Sequence, residues 1–348
     1  MTFANALYDG LFADAEMVAL WDADAQTAHM LAFETAFSRA MGQAGRFDAA
    51  LAERAADHVA GVVPDRDALS AGSARDGLPV PALIAQLKAG AGEAAQAIHA
   101  GATSQDVLDT ALALTLQRTS DLIDARLAAL VQALDKLSDA QGGHALMART
   151  RMQAALPIAV ADRIRSWRAP LVDHRARLTL ARAQTERLSL AGPTGSADFG
   201  DVAPVMAEAL GLTVAPIPWH TDRSGVVSYA NLLALISGSL GKMGQDVALM
   251  AQQGIEEITL AGGGGSSAMA HKHNPILAEL LITLARFNAG QTGIMQEAMV
   301  HEQERSGSAW ALEWMVLPLM AQATGRALVA ATDLVGSITT IGEPHKSV

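Results

Sequence analysis

The strongest pattern in the chain begins at Thr103. Leu108, Leu112, Leu116, Ile123, Leu127, Leu130, Leu134 and Leu137 recur in steps of three, four or seven, which lays one apolar stripe along one helix face. Thr103 and Asp106 fit a capping box, a hydroxyl at the N-cap with a carboxylate three residues on. No proline interrupts the stripe before Pro157, so the spacing predicts about 35 residues of helix spanning roughly 50 Å.

A second helix is predicted after Pro157 to about Leu190, rich in Arg and bent at Pro170. A third covers about Gly225 to Ile258, with Tyr229, Leu232, Ile236, Leu240, Met243, Val247, Met250 and Ile258 on its stripe. A fourth starts at Pro275, and a fifth covers about Ala309 to Val335. Such lengths exceed the ordinary helix of about 11–12 residues and suit a long bundle. Ahead of them, residues 1–100 read as shorter helices with turn breaks. Trp21 to Met41 is helical in its spacing, and Gly72 to Pro81 reads as loop.

Composition supports this. Half of the residues are hydrophobic but only 4% are aromatic. Ala and Leu supply the bulk, and both favour helix, while the alternating strand pattern is nearly absent. The expected fold class is all-α: an N-terminal helical domain at 1–100, a central long-helix bundle at 101–340 and a tail at 341–348. The uncharged stretch Ser224 to Gly241 holds Tyr229, Asn231, four Ser and three Gly at helical period. It reads as a buried helix of a globular protein rather than a membrane span.

The absence of Cys excludes disulfides, thiolate metal sites and a Cys nucleophile, and it is compatible with a reducing cytoplasm. The first residues carry no basic stretch of the secretory kind. The net charge of −11 argues against nucleic-acid binding. It also requires that any anionic substrate be met by local cations.

Four polar connectors separate the helices: His99 to Asp106, Arg149 to Pro157, Ala215 to Gly225 and Ala261 to Pro275. The last contains four successive Gly, then Ser-Ser-Ala-Met-Ala-His-Lys-His-Asn-Pro. A flexible linker, a phosphate cradle and a His271/His273 metal pair are the plain alternatives. The Gly-Lys-Ser/Thr of a phosphate loop is missing, and no acidic ligand lies nearby for a metal. Two hydroxyls, an ammonium, two imidazoles and an amide within nine residues point instead to acid–base chemistry on a lid.

This loop resembles the third conserved block of the fumarase/aspartase superfamily, Gly-Ser-Ser-x-Met-Pro-x-Lys-x-Asn-Pro. All fixed positions match except Ala270, where the block has Pro. His-Ala-Gly-Ala-Thr-Ser-Gln-Asp at 99–106 resembles the first block, and Ala-Arg-Thr-Arg-Met-Gln-Ala-Ala-Leu-Pro at 148–157 the second. Pro-Trp-His-Thr-Asp-Arg at 218–223 and Glu304-Arg305 with Trp310, Glu313 and Trp314 point to a cycloisomerase branch. The likeness runs from about residue 5 to 335.

The resemblance implies a cofactor-free, metal-free enzyme acting on a small unsaturated tricarboxylate. Ser266 would be the base on the lid, and His99 a polar contact or proton relay. Thr103, Ser104, Thr150, Arg151, Gln153, Arg223, Lys272, Asn274 and Arg305 would bind substrate. Sites would be shared among the subunits of a homotetramer. Arg151 stands where the superfamily's lyases have His; a departing carboxylate of pKa about 4 needs no acid, and an Arg can hold a substrate carboxylate bidentately. A solvated helix-end charge is the plainer reading of Arg151. Ala270 should loosen the lid, and His273 lowers its positive charge at neutral pH. Superfamily members commonly run about a hundred residues longer, so the small C-terminal domain is expected to be missing. A fumarate-releasing lyase and a non-catalytic homologue are the competing expectations.

Overall fold

The computed structural model of the chain describes residues 6–265, 268–269 and 272–343. Short helices come first: α1 (Asp9–Phe12), α2 (Ala15–Trp21), α3 (Ala23–Gln43), α4 (Ala49–Gly61), α5 (Arg66–Asp76) and α6 (Val80–Lys88). Aspartates begin four of them. The side chains of Asp14, Asp22, Asp48 and Asp65 accept first-turn N–H groups, which satisfies donors that a helix start leaves unpaired. The stretch from Gly72 to Pro81 is therefore not one loop. Gly77, left-handed at φ 80°, terminates α5, and α6 restarts at Val80, where Pro is tolerated in the first turn.

The bundle consists of α7 (Ser104–Gln141), α8 (Val160–Thr185), α10 (Ser224–Met250), α11 (Ile276–Glu297) and α12 (Ser308–Ser337), with the short α9 (Val202–Leu210) before α10. The stripe read from the sequence is the buried face of α7: Leu116, Ile123, Leu127, Leu130 and Leu134 are all enclosed. Helix α10, uncharged from Ser224 to Gly241, lies at the centre, packed against α8, α11 and α12. Gly244 lets α10 and α11 touch, since a Cβ there would lie 2.6 Å from the Ala278 carbonyl oxygen. A second, smaller core joins α3, α4 and α6 to the start of α7 through Phe33, Phe37, Val59, Leu83 and Leu87.

Among the described residues, six short strands depart from the all-helical expectation locally. β1 (Ala145–Thr150) and β2 (Gln153–Ala159) form an antiparallel hairpin between α7 and α8. β3 (Arg187–Leu188) pairs in parallel with β4 (Thr213–Val214), and β5 (Ile258–Leu260) pairs antiparallel with β6 (Ile338–Ile341). The third helix thus ends at Met250, and Ile258 lies in a strand. Ile341, placed in the tail by its position in the chain, is a buried strand residue paired with Ile258.

The 38 residues of α7 span about 57 Å. Arg223, just before α10, bonds Asp109 at one end of α7. At the other end, Arg163 of α8 reaches Met250 at the close of α10. The connectors 99–106 and 218–223 therefore share one end of the bundle, and 148–157 lies at the opposite end.

Candidate active site

At the first end, the start of α7 is built as a cradle. Thr103 is its N-cap, and its backbone N–H donates to Asp106 Oδ2 at 3.0 Å, one half of the expected box. The Thr103 hydroxyl also accepts from Arg305 Nη2 at 2.9 Å, and Arg305 Nε donates to Gln105 Oε1 at 2.9 Å. Ser104 opens the first turn. A cation thus lies across a helix N-terminus, where dipole and charge both favour an anion. Asp106, fully buried, accepts four hydrogen bonds: from Thr103, Ala191, Gly192 and the imidazole Nε2 of His220. It fastens the 191–192 turn and the 218–223 connector to this helix start.

His99 stands beside the cradle with φ 56°, a strained value for a residue that is not Gly. Its Nδ1 lies 2.6 Å from Glu34 Oε1. Glu34 is wholly buried and its Oε2 has no partner among the described residues. A buried carboxylate needs a donor or a cation beside it, and the imidazole is that group. The pair fixes the orientation of His99, leaving part of the ring exposed.

Arg223 does not do what its motif implied. All of its side chain is enclosed. Nε and Nη2 donate to Glu313, Nη1 and Nη2 to Asp109, and Nη1 also to the Trp219 carbonyl. Burial works against its charge, yet Asp109 and Glu313 hold the guanidinium above its ordinary value. Burial likewise pushes the Glu313 carboxyl up, against the pull of Arg223. With every N–H group committed and no face open, Arg223 is a buried structural cation and not a substrate ligand. Gln105 connects it to the cradle, donating to Asp109 Oδ2 at 3.1 Å and to the His220 carbonyl at 2.7 Å. His301 faces the same triad; burial and the nearby Arg223 hold its imidazole below its usual value.

At the opposite end, Thr150 and Gln153 pair across the last rung of the hairpin, with Arg151 and Met152 as its two-residue turn. Both turn residues have positive φ, 47° and 67°, the backbone of a tight hairpin turn usually made with Asn-Gly. The strain holds Arg151 exposed at the tip. Arg149, one residue before Thr150, pairs with Glu257. The lid is pinned at its base: Gly264 and Asn274 exchange both backbone hydrogen bonds at 3.0 Å. Gly is required there, since a Cβ would meet Ile276 at 2.5 Å. Lys272 is exposed. Ser266, Ala270 and His271 lie outside the described residues.

One chain therefore brings His99, Thr103, Ser104 and Arg305 together, and sets Thr150, Arg151 and Gln153 at the far end of α7. Glu34, Gln105 and His220 were not singled out as site residues from the sequence, and Asp106 was read only as part of the helix cap. Glu34 left a trace: it occupies a core-facing position among Met30, Phe33, Phe37 and Met41, where a carboxylate needs a partner.

The sequence profile of the lyase family matches residues 16–289. A 3-carboxy-cis,cis-muconate cycloisomerase of Pseudomonas aeruginosa is 35% identical over 343 residues, covering 95% of this chain and 75% of its own length. The crystal structure of a 3-carboxy-cis,cis-muconate lactonizing enzyme from Pseudomonas putida superposes with a TM-score of 0.88 at 33% identity, covering 97% of this chain and 77% of that one. A fumarate lyase from a Mesorhizobium species superposes at 0.89 with 28% identity, covering 98% of this chain and 78% of that one. The chain thus spans about three quarters of the length of these relatives.

Proposed function

The chain belongs to the lyase family, the fumarase/aspartase superfamily whose three sequence blocks it carries, and from that membership we propose that it is a cycloisomerase. It interconverts 3-carboxy-cis,cis-muconate and the corresponding γ-lactone, 4-carboxymuconolactone, a step in protocatechuate breakdown. The observation that carries this reading is the likeness over 95% of the chain to an enzyme of that activity.

In the lactonising direction one substrate carboxylate oxygen closes on a carbon of the diene. The electron pair moves to the carbon alpha to another carboxylate, giving an aci-carboxylate. That carbon then takes a proton, and Ser266 on the lid is the group assigned to deliver it. In reverse the same serine removes it. The isomerisation consumes and releases nothing else. Preorganised donors stabilise the developing charge: the first turn of α7, the Thr103 hydroxyl and Arg305 on one carboxylate, Lys272 and Asn274 on another, Arg151 on a third. Thr150 and Gln153 line the site, with His99 as polar contact or relay.

Because the cradle and the hairpin tip are separated by the length of α7, a single chain does not close this site. We assign the complete site to a cytoplasmic homotetramer in which one copy's cradle meets the hairpin and lid of others. Leu180, Leu235, Ile294 and Met315 stand exposed along four bundle helices, an apolar surface that suits such packing. The test is turnover of 3-carboxy-cis,cis-muconate, followed as ultraviolet loss of the diene. Lactone formation is expected; an inert substrate refutes the assignment. The similarity to a fumarate lyase favours one second reading, in which fumarate is released from a succinyl adduct such as adenylosuccinate.

A further inference from the structure

Glu313 and Trp314 have no part in the reaction as assigned, yet both line a cavity of about 250 Å³ between the end of α2, α3, α7 and α12. That volume is just under the range of drug-sized sites, roughly 300–1,000 Å³, and suits a one-ring molecule. Trp21, Leu112, Trp314 and Pro318 give it an apolar wall. Trp314 leans on the enclosed Trp310, with ring centroids 4.8 Å apart, which fixes the aromatic face it presents. Asp109 and Glu313 also line the cavity.

The polar side of this cavity is out of balance. Among the described residues the two carboxylates share a single cation, Arg223. Asp109 accepts from Arg223 and from Gln105, while Glu313 accepts one hydrogen bond on each oxygen, both from Arg223. An ionised carboxylate can accept about four, so Glu313 keeps half of its capacity open. Burial pushes its carboxyl up, the mark of a charge short of solvation, which a second cation would supply. On the opposite account, Trp21 Nε1 is enclosed and meets no acceptor among the described residues. The lining therefore asks for one further cation and one further acceptor, between indole faces that themselves attract cations.

We propose that this cavity binds a small phenolic amine. Its ammonium donates to Glu313, its ring packs against Trp314, and its hydroxyl oxygen accepts from Trp21 Nε1. No residue of the lining is among those assigned to the tricarboxylate, and the charge it selects is the opposite one, so the site is tested without turnover. Tyramine is the probe, titrated calorimetrically into the full chain. The comparison ligands are 4-ethylphenol, which lacks the charge, and phenethylamine, which lacks the hydroxyl.

Saturable tyramine binding near one per chain is expected, with both comparison ligands weaker. Glu313→Gln removes the charge with little change of shape and should weaken tyramine by about tenfold or more. Trp314→Leu, at a partly exposed position, should weaken it about threefold, and it decides the matter if Glu313→Gln melts early. Arg163→Gln, at the other end of the bundle, should leave the affinity unchanged. Absence of saturable binding at millimolar tyramine overturns the proposal. So does 4-ethylphenol or phenethylamine binding as tightly as tyramine, binding that survives both cavity variants, or binding that is lost in Arg163→Gln.

Discussion

Replacing Arg223 by Met separates a structural cation from a substrate cation. The substitution keeps the length of the stem and removes the charge, leaving Asp109 and Glu313 facing each other in a dry core. Breaking a buried pair in this way costs about 3–5 kcal/mol, and here two carboxylates lose the same partner. At roughly 2.1 cal/mol/K per residue, the 348 residues give an unfolding entropy near 0.7 kcal/mol/K, so a loss of ~4 kcal/mol lowers Tm by about 5–6 °C. Restoring neutrality with Asp109→Leu and Glu313→Leu in the same chain should recover part of that loss, because well-packed apolar groups replace a buried ionic cluster without great penalty. The assay is thermal unfolding of the three proteins, with KM and kcat measured well below the lowest Tm. Arg223→Met with an unchanged Tm and a raised KM would refute the buried-triad account and return Arg223 to the substrate.

Glu34→Gln should lower kcat about 10–100-fold, the usual effect of losing a group that orients a functional His. An unchanged kcat removes the dyad. Asp106→Asn cannot accept all four of its hydrogen bonds and should cost about 2–4 kcal/mol in a denaturant titration; retention of wild-type stability contradicts its fastening role. Gly244→Ala places a methyl group against Ala278 and Leu281 and should cost about 1–3 kcal/mol, read as a lowered Tm. Acid should weaken the fold through histidines. Burial first, then Arg177, lowers the His174 value, and burial with Arg223 does the same for His301. The folded state thus prefers neutral rings, and the stability they contribute is present above the ordinary 6.5 and is lost as pH falls below it. A Tm equal at pH 7.5 and 5.5 contradicts this.

The bundle was legible because its signal is periodic. A stripe such as Leu116 to Leu134 reports burial directly, and Asp or Thr at helix starts reports the caps. The hairpin at 145–159 was not legible, because its turn uses Arg151-Met152 and not the Gly-containing pair that marks such turns. Its strain is held by the ladder around it, which single-residue preference does not encode. The helix-start cradle was legible where its cap is local, as at Thr103. The site was misread where partners come from afar. Nothing near Arg223 in the chain reveals Asp109 and Glu313, each about ninety or more residues away. Glu34 meets His99 only because α3 packs on the approach to α7.

The separation of the cradle from the hairpin and lid makes the composite site the central claim, and complementation between copies tests it most directly. Arg305→Ala disables the cradle and Ser266→Ala removes the proposed lid base, so each variant alone should be inactive. When the two are dissociated together and reassembled, some sites should combine an intact cradle from one copy with an intact lid from another, and turnover should return. Mixed assemblies as inert as their parents would contradict the shared site.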